Sequence, residues 1–395
     1  MLIRNGTVVL PDRLMRADVE TDGDIISAVG EISRDGEAFD ASGLYVCPGF
    51  VDIHAHGGGG SDFMDHDEEA FDTALAFHAA NGTTSMLPTS LTAPVGDITA
   101  MIGRARPRMK RTSDECANLK CSRVLGVHTE GPYLSLKNKG AQPESYLRIP
   151  DSDSYDYLLE NRDAVRSVTL SCELSGAAEM TRRLTEAGII VCGGHDNGSM
   201  PDIMPVIDAG MRHCTHLWCA MSTVAMIDGV RLPGLCEIGL TDDRLSCEII
   251  ADGFHMPPAL VKIAYRCKGA DRLAIVSDCL RAGGMPEDGR LWSLGDGLQS
   301  FIVSGGVGRL PDNSRLAGSI QPLSHMVRNL VCDCSVPVCD AVRMASLTPA
   351  KIIGRADKLG SVEAGKLADL CLMTPELRVH TVIIGGKIIY SKGAN

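Results

Sequence analysis

Short apolar segments alternate with glycine-ended helical segments along the middle of this sequence, and few folds accommodate that alternation. The apolar segments have the length and composition of strands, and the segments between them have the terminal glycine that is typical of helix ends. Parallel strands joined by helices close naturally into a (β/α)8 barrel, an α/β fold whose active site lies at the carboxyl ends of the strands. The strand candidates are CPGFVDI, TTSML, SRVLGVH, SVTLSC, IIVCGG, MRHCT, SCEIIA and RLAIVS, and the helix candidates include EEAFDTALAFHAANG, AAEMTRRLTEAG, MPDIMPVIDAG and PPALVKIAYRCKG.

The two ends of the chain have a different pattern from the middle. Short β-like pieces separated by Asn-Gly and Asp-Gly fill the first part, and a similar run, LADLCLM to RVHTVIIGGKIIY, fills the last. Such dipeptides favour hairpins. We therefore expect residues 1–46 and 366–395 to pair into one small β-sandwich domain, with residues 47–365 forming the barrel.

Polar side chains follow the predicted strands where each strand ends. In PGFVDIHAHGGGG, His54 and His56 lie one residue apart, so their side chains point to the same face. A lone histidine pair is also compatible with an ordinary polar pair near a turn. The other strands favour a metal site over an ordinary polar pair, because one barrel mouth would bring together the residues at all the strand ends. Those residues are His128 and Glu130, His195, His216, Asp252 and His255, and Asp278.

Imidazole nitrogens and carboxylate oxygens without a thiolate suit Zn²⁺, Fe²⁺, Mn²⁺ or Co²⁺ in a hydrolytic site. Glu130 has two oxygens with which to bridge two ions, and His54 and His56 offer a second subsite beside His195 and His216. A metal lowers the pKa of bound water enough to make it a nucleophile near neutral pH. Asp278 is then the expected base, which takes the proton and returns it to the leaving group.

Composition limits the partners and the compartment. The chain has 395 residues and a formal charge of −12, which argues against nucleic acid or an anionic membrane as a partner. One basic run, RARPRMKR, is expected to be a solvated helix face or loop. The fifteen cysteines lack the spacing of a disulfide framework, and the N-terminus does not resemble a signal peptide. We expect a cytoplasmic protein.

A series of motifs, in order, resembles the N-acetylglucosamine-6-phosphate deacetylases of the amidohydrolase superfamily. The motifs are PGFVDIHAHGGGG, GVHTEGPYLS, GGHDNGS, CTHLWCAMS, IIADGFH, IVSD, RLAGSIQPL, TPAKIIG and LGSVEAGKLADL. The resemblance implies a homodimer and metal ligation by Glu130, His195 and His216. Since His54 and His56 are present, the sequence is similar to the members that hold two ions. Asp278 matches the catalytic aspartate.

The resemblance also implies the substrate contacts. Arg231, contributed across the dimer, and His255 would hold the sugar phosphate. Backbone near Ala141, Cys219 and Ala220 would line the sugar, together with residues Leu316, Ala317 and Gly318.

Three positions depart from the family pattern. Gln142 replaces a histidine that polarises the acetyl carbonyl, and its neutral amide is a weaker donor than an imidazolium. Cys219 replaces an asparagine and is a poor hydrogen-bond donor. Arg281 lies where small residues are usual, and it either contacts a substrate anion or is an exposed loop arginine.

The sequence therefore predicts a metal-dependent enzyme that removes the acetyl group from an amino sugar phosphate, most simply N-acetylglucosamine 6-phosphate. One alternative is a related amidohydrolase that acts on N-acetylgalactosamine 6-phosphate, an unphosphorylated sugar or an N-acyl amino acid. Another is a metal-binding or sugar-sensing protein without catalysis, although a base such as Asp278 has no use there. The remaining histidines, His66, His78, His128, His213, His325 and His380, are expected to be core, surface or supporting residues.

Overall fold

A barrel of eight parallel strands forms the centre of the protein. The computed structural model describes residues 1–34, 36–295, 297 and 299–392. Each barrel strand pairs with the next one along the chain, and the short strand Arg123–Val124 extends the pairing beside strand 2. The predicted barrel is thus confirmed. Barrel strands 1 to 8 are Phe50–Ala55, Thr83–Ser90, Val127–Glu130, Val165–Leu170, Ile190–Gly193, His213–Cys214, Ser246–Ile249 and Leu273–Ile275.

Backbone hydrogen bonds close the barrel between its last and first strands. The Asp278 N–H donates to the His54 carbonyl at 2.9 Å, and the His56 N–H donates to the Cys279 carbonyl at 2.9 Å. These bonds lie at the carboxyl ends of strands 8 and 1. The closure therefore brings the histidine pair next to the predicted catalytic aspartate.

Helices follow the strands as the alternation predicts. Asp67 caps the first of them by accepting a hydrogen bond from the Glu69 N–H. In the second, Arg106 and Arg108 of the basic run bind Asp163, Glu68 and Asp72, so that run is an ion-paired helix end. The α-helices are Glu68–Ala80, Val95–Met109, Ser113–Asn118, Asp156–Glu160, Ala177–Glu186, Met200–Ala209, Leu235–Thr241, Pro258–Arg272, Leu323–Cys332, Val338–Ala345 and Leu347–Ile352, and Glu144–Tyr146 is a 3₁₀ turn.

Strands from both ends of the chain form one mixed eight-stranded sheet, as their shared pattern predicts. Its centre pairs Tyr45–Pro48 with Leu370–Met373, and residues such as Val8, Val19 and Ile383 form its own apolar cluster. The strand Tyr45–Pro48 spans the expected boundary at residue 46, and the division into two domains stays a prediction. The sheet contains Leu2–Val9, Leu14–Asp22, Ile25–Gly30, Phe39–Asp40, Tyr45–Pro48, Leu370–Met373, Val379–Ile384 and Lys387–Ser391.

A small antiparallel sheet is inserted after barrel strand 8, and the sequence analysis did not anticipate it. Its strands are Leu291–Leu294, Gln299–Ser304, Val307–Arg309 and Leu316–Gly318. The pair Gly305-Gly306 forms the hairpin between the second and third strands, which is a signal that the sequence carries. Trp292 and Phe301 pack with Leu280 and Leu91 beneath the sheet, which fixes it beside the barrel mouth.

Two further features complete the fold. The residues Gly57–Gly58 and Ser61–Asp62 form a short hairpin after strand 1, and Ala225–Ile227 and Val230–Leu232 form an exposed hairpin after strand 6. None of the helices in the described part of the chain is long and apolar enough to cross a membrane.

Candidate metal-dependent active site

Glu130, at the end of barrel strand 3, lies at the centre of the predicted site. Its Oε1 is 2.9 Å from His216 Nε2 and 3.1 Å from His195 Nε2. The same oxygen is 3.4 Å from His54 Nε2, and Oε2 is 3.4 Å from His56 Nε2. All five side chains are buried. The structure therefore brings the five predicted ligands together, with the four imidazoles around the Glu130 carboxylate.

The protons on these imidazoles can be assigned from their outer partners. A carbonyl or carboxylate oxygen only accepts, so a ring nitrogen that bonds to it must carry the proton. His54, His56 and His195 each place Nδ1 on such an acceptor, which leaves Nε2 of a neutral ring with a lone pair. The acceptors are Glu248 for His54 at 2.8 Å, the Thr89 carbonyl for His56 at 3.3 Å and the Asn138 carbonyl for His195 at 2.9 Å.

These lone pairs face carboxylate oxygens, and two acceptors this close repel each other unless a positive charge lies between them. His54 Nε2 is buried and has no hydrogen-bond partner among the described residues. Ligand atoms of His54, Glu130 and His216 lie within 4.8 Å of one another, and so do those of His54, His56 and Asp278. Outer hydrogen bonds that aim Nε2 inwards are typical of metal-ligating histidines. The residues present fit one or two divalent cations.

The electrostatics of the cluster also favour a bound cation. Burial opposes a charge on His56, but its contacts with Asp278 and Glu130 outweigh burial and raise its pKa to about 10. Burial also opposes a charge on His216, but its contact with Glu130 outweighs burial and raises its pKa to about 9. Burial favours the neutral acid at Glu130, yet His195 and His54 hold its pKa well below the usual range. Without a metal, protons on Nε2 of these rings offset the charge of the carboxylates, and a divalent cation bound here would take the place of those protons.

Asp278 follows barrel strand 8 and faces the same cluster. Its Oδ1 lies 3.2 Å from His56 Nε2 and 3.7 Å from His54 Nε2. Burial would raise its pKa, but the hydrogen bond from His56 and the charges of His54 and His216 lower it. The carboxylate form therefore prevails at neutral pH, as a proton acceptor requires.

Residues at the ends of barrel strands 5 and 8 adopt backbone conformations that side chains disfavour. His195 has φ 47° and Asp278 has φ 44°, both in the left-handed region. Trp218 at φ 66° and Ala220 at φ 46° share this conformation in the loop after strand 6. Such conformations cluster at functional sites, where the surrounding structure holds them in place.

Sequence reasoning missed Glu248, which lies in barrel strand 7 beneath the cluster. It accepts hydrogen bonds from His54 Nδ1, from His213 Nε2 at 3.1 Å and from the His216 backbone N–H at 3.2 Å. It lies inside a strand, whereas the barrel rule identifies only residues at strand ends. In SCEII the polar Glu248 alternates with the apolar Ile249, and this alternation is the sequence signal that could have identified it. His213 is a supporting residue, as expected.

His128 is also a supporting residue. Its Nδ1 bonds to the Ser167 hydroxyl at 2.7 Å and its Nε2 to the Thr169 hydroxyl at 2.9 Å. Burial lowers its pKa to about 3, with His54 adding to the effect. It is therefore a neutral ring in the barrel interior.

A cavity of about 320 Å³ opens above the cluster, which is a size suited to a small ligand. His255 lines it, with Nδ1 fixed on Asp252 Oδ2 at 2.8 Å. The remaining predicted sugar contacts in the lining are Ala141, Gln142, Cys219, Ala220, Leu316, Ala317 and Gly318. Lining residues that the sequence analysis did not identify are Leu91, Gly140, Trp218, Leu294 and Arg315.

Gln142 is buried in the cavity wall and its amide is oriented by the backbone. The Thr92 N–H donates to Gln142 Oε1 at 2.8 Å, which fixes the amide nitrogen on the other side. That nitrogen donates to Glu130 Oε2 at 2.5 Å. One amide hydrogen is thus committed to Glu130, and the other is left for a ligand.

Two arginines lie outside the cavity lining. Arg281 does not contact the cavity as a reader of substrate charge would, because Asp65 binds its guanidinium at 2.8 Å and Asp62 lies 3.7 Å away. Its position is neither an exposed loop nor an anion site. Arg231 is exposed on the hairpin after strand 6, so its role across a dimer stays a prediction.

Comparisons with known proteins agree with this geometry. The family model described as "Amidohydrolase family" matches residues 45–389. An N-acetylgalactosamine-6-phosphate deacetylase of Escherichia coli O157:H7 is 34% identical over 87% of each chain, and an N-acetylglucosamine-6-phosphate deacetylase of Haemophilus influenzae is 32% identical over 92% of each. The crystal structure of N-acetylglucosamine-6-phosphate deacetylase from Pasteurella multocida is 28% identical, with a TM-score of 0.89 over 99% of each chain. The chain therefore belongs to the amidohydrolase family, and within it to the group that contains the N-acetylglucosamine-6-phosphate and N-acetylgalactosamine-6-phosphate deacetylases.

Proposed function

We propose that this protein hydrolyses the N-acetyl amide of an N-acetylhexosamine 6-phosphate to acetate and the free amine. The observation that carries the proposal is the cluster of four imidazole Nε2 atoms around Glu130, with Asp278 beside it, at the floor of a cavity of about 320 Å³. The names of the relatives supply the substrate class. N-acetylglucosamine 6-phosphate is the first substrate to test.

His54, His56, Glu130, His195 and His216 are the proposed ligands of one or two divalent ions, with zinc first and iron, manganese or cobalt as alternatives. When bound, such an ion supplies Lewis acidity and lowers the pKa of water. The outer partners Glu248, Thr89 and Asn138 keep three of the rings in the tautomer that ligation requires.

Asp278 is the proposed proton carrier. Its carboxylate accepts a proton from the water that attacks the acetyl carbonyl carbon. When the C–N bond breaks, the same carboxyl group protonates the departing nitrogen, which leaves as the amine while acetate keeps the new oxygen. The lowered pKa of Asp278 supports the first half of this cycle.

Gln142 is proposed to do two things. One amide hydrogen holds Glu130 Oε2 in place. The other points to the cavity that Gln142 lines, where it would donate to the acetyl oxygen as negative charge develops there.

The other substrate contacts remain part of the proposal. His255, held by Asp252, and Arg231 would bind the phosphate, with Arg231 coming from a second subunit. The hairpin that carries Arg231 exposes Val224, Met226 and Val230, each at least half exposed (50%, 58% and 58%). Exposed apolar side chains grouped on one hairpin support a protein interface there, and so a homodimer.

The compartment is also a proposal. All fifteen cysteines are free thiols, and most are buried in the cores. Unpaired thiols in this number suit a reducing compartment such as the cytoplasm.

N-acetylgalactosamine 6-phosphate is the second candidate substrate. The 34% identical relative carries that name, and Cys219 and Gln142 place unusual groups in the cavity wall. The thiol of Cys219 is partly buried, and desolvation raises its pKa, so it is a poor partner for a sugar hydroxyl. A purely sugar-sensing role would leave the placement of Asp278 unexplained.

The direct experiment measures acetate release from both N-acetylhexosamine 6-phosphates and both unphosphorylated sugars. The protein is stripped of metal with a chelator and reloaded with Zn²⁺, Fe²⁺, Mn²⁺ or Co²⁺. We expect activity on a phosphorylated sugar that the chelator abolishes and a metal restores. No release from any of the four sugars by metal-loaded protein would contradict the proposal.

A further inference from the structure

Arg315 lies at the end of a compact loop of the inserted sheet. The Leu310 N–H donates to the Arg315 carbonyl at 3.0 Å, and the Asn313 N–H donates to the Leu310 carbonyl at 2.9 Å. The next residue, Leu316, begins the strand that lines the cavity. The backbone of Arg315 is therefore fixed at the cavity edge while its side chain remains exposed.

Arg315 is the only lysine or arginine among the cavity-lining residues in the described ranges. Within those ranges its guanidinium makes neither an ion pair nor a hydrogen bond. The nearest acid in its own loop, Asp312, instead accepts from the Ser314 backbone and hydroxyl at 3.0 and 2.6 Å. Among the described residues, this cation at the cavity therefore has no protein partner.

The other arginines near the barrel mouth are placed differently. Arg281 is bound by Asp65, and Arg290 stacks on Trp292, with its guanidinium carbon 3.8 Å from the ring centre, and lies 3.4 Å from Asp288. A guanidinium kept free on a cavity wall has its five donors available for an anion, which it binds in bidentate fashion.

The charged residues of the cavity lining differ in exposure. Glu130 and Asp278 are buried acids that fit metal ions, whereas Arg315 is exposed and His255 is partly exposed. A ligand with an amide at one end and a dianion at the other matches this order. The reverse orientation would bring its phosphate against Glu130 and Asp278.

We propose that Arg315 is a specificity-determining residue that binds the 6-phosphate of the substrate from within the same subunit. This inference rests on the proposed function. It differs from the predicted contact of Arg231, because Arg315 needs no second subunit.

The test is binding, measured by calorimetry on full-length, metal-loaded protein that carries Asp278→Asn to prevent turnover. The ligands are N-acetylglucosamine and N-acetylgalactosamine, each with and without the 6-phosphate. Arg315→Ala is compared with Arg231→Ala and with Arg315→Lys. The lysine keeps the positive charge but cannot donate two parallel hydrogen bonds as a guanidinium does. Arg290→Ala is the matched control, since that arginine belongs to the same inserted sheet but lies outside the cavity lining.

We expect Arg315→Ala to weaken binding of the phosphorylated sugar by about tenfold to a hundredfold, because a hydrogen bond to a charged group is lost. Binding of the unphosphorylated sugar should stay unchanged, Arg315→Lys should be intermediate, and Arg290→Ala should match the parent. The inference is overturned if Arg315→Ala keeps the parent's affinity for the phosphorylated sugar, if it weakens both forms equally, or if the parent does not prefer the phosphorylated form.

The proposed function is judged separately, by acetate release from protein with Asp278 intact. Phosphate-dependent binding through Arg315 without acetate release would refute the deacetylase reaction and leave the anion site standing. Acetate release with no effect of Arg315→Ala on binding would support the deacetylase reaction and refute the anion site at Arg315.

Discussion

Glu248 Oε1 lies 2.8 Å from His54 Nδ1, and both side chains are almost completely buried. The carboxylate accepts a hydrogen bond from Nδ1–H and so directs the other ring nitrogen, Nε2, towards Glu130 and Asp278. Its second oxygen is held by His213, whose other nitrogen bonds to Ser246. A chain of buried hydrogen bonds thus connects the outside of the barrel wall to a proposed metal ligand.

Glu248→Gln tests this connection. The amide can turn its NH₂ towards His54 and favour the opposite tautomer, so we expect metal affinity at the His54 and His56 subsite to fall by about tenfold to a hundredfold. Metal content by mass spectrometry and competition with a chelator measure the effect. Exposed Glu179 on the helix Ala177–Glu186 offers a control as Glu179→Gln. Unchanged metal content and affinity in Glu248→Gln would exclude this positioning role.

Asp278→Asn should lower kcat by about a hundredfold to ten thousandfold, because an amide accepts no proton from water. Metal content should remain close to that of the parent, since the histidines and Glu130 are intact. Steady-state acetate release and metal analysis are measured together. Near-normal turnover with metal bound would show that another group carries the proton.

Gln142→Leu removes both amide hydrogens without adding charge. We expect kcat to fall by about a hundredfold, in the range seen for loss of one oxyanion donor. A glutamine of the neighbouring segment, Gln321, lies outside the cavity lining, so Gln321→Leu is the control. A change confined to KM would mean that Gln142 contributes to ground-state binding and not to the reaction.

His78 should make the stability of the metal-free protein depend on pH. Burial lowers its pKa to about 4, while its Nε2–H donates to the Gly57 carbonyl at 2.9 Å. Between pH 6.5 and 4 the unfolded chain binds a proton that the folded state does not, so stability falls as pH falls through this window. From pH 7 to pH 5 the loss from this residue is roughly 2 kcal/mol.

His78→Gln should remove that part of the pH dependence, as measured by urea unfolding at several pH values. His66→Gln, at an exposed position, is the control and should keep the parent's slope. Equal slopes for His78→Gln and the parent would mean that His78 binds a proton equally well in the folded and unfolded states.

Strand-end polar residues could be predicted from the sequence because parallel strands bring all their carboxyl ends to one mouth. That rule located His54, His56, Glu130, His195 and His216. It could not identify Glu248, whose contact with His54 joins residues 194 positions apart and depends on the curvature of the closed barrel.

Charged loop residues were harder to predict, because their neighbours decide their role. Arg281 follows Asp278 in sequence, yet Asp65, more than two hundred positions earlier, binds it. Arg315 could not be singled out in RLAGSIQPL, because the sequence does not show whether its guanidinium has a partner. The free or paired state of an arginine depends on three-dimensional contacts that a single sequence does not display.

Barrel closure has a consequence for how the protein is made. His54 and His56 leave the ribosome more than two hundred residues before Asp278. The backbone hydrogen bonds of His54 with Asp278 and of His56 with Cys279 form only when strand 8 reaches strand 1. The sheet that joins both chain ends needs residues up to Ser391. A nascent chain therefore holds scattered imidazoles with no shared centre until barrel strand 8 has been made and has paired with strand 1.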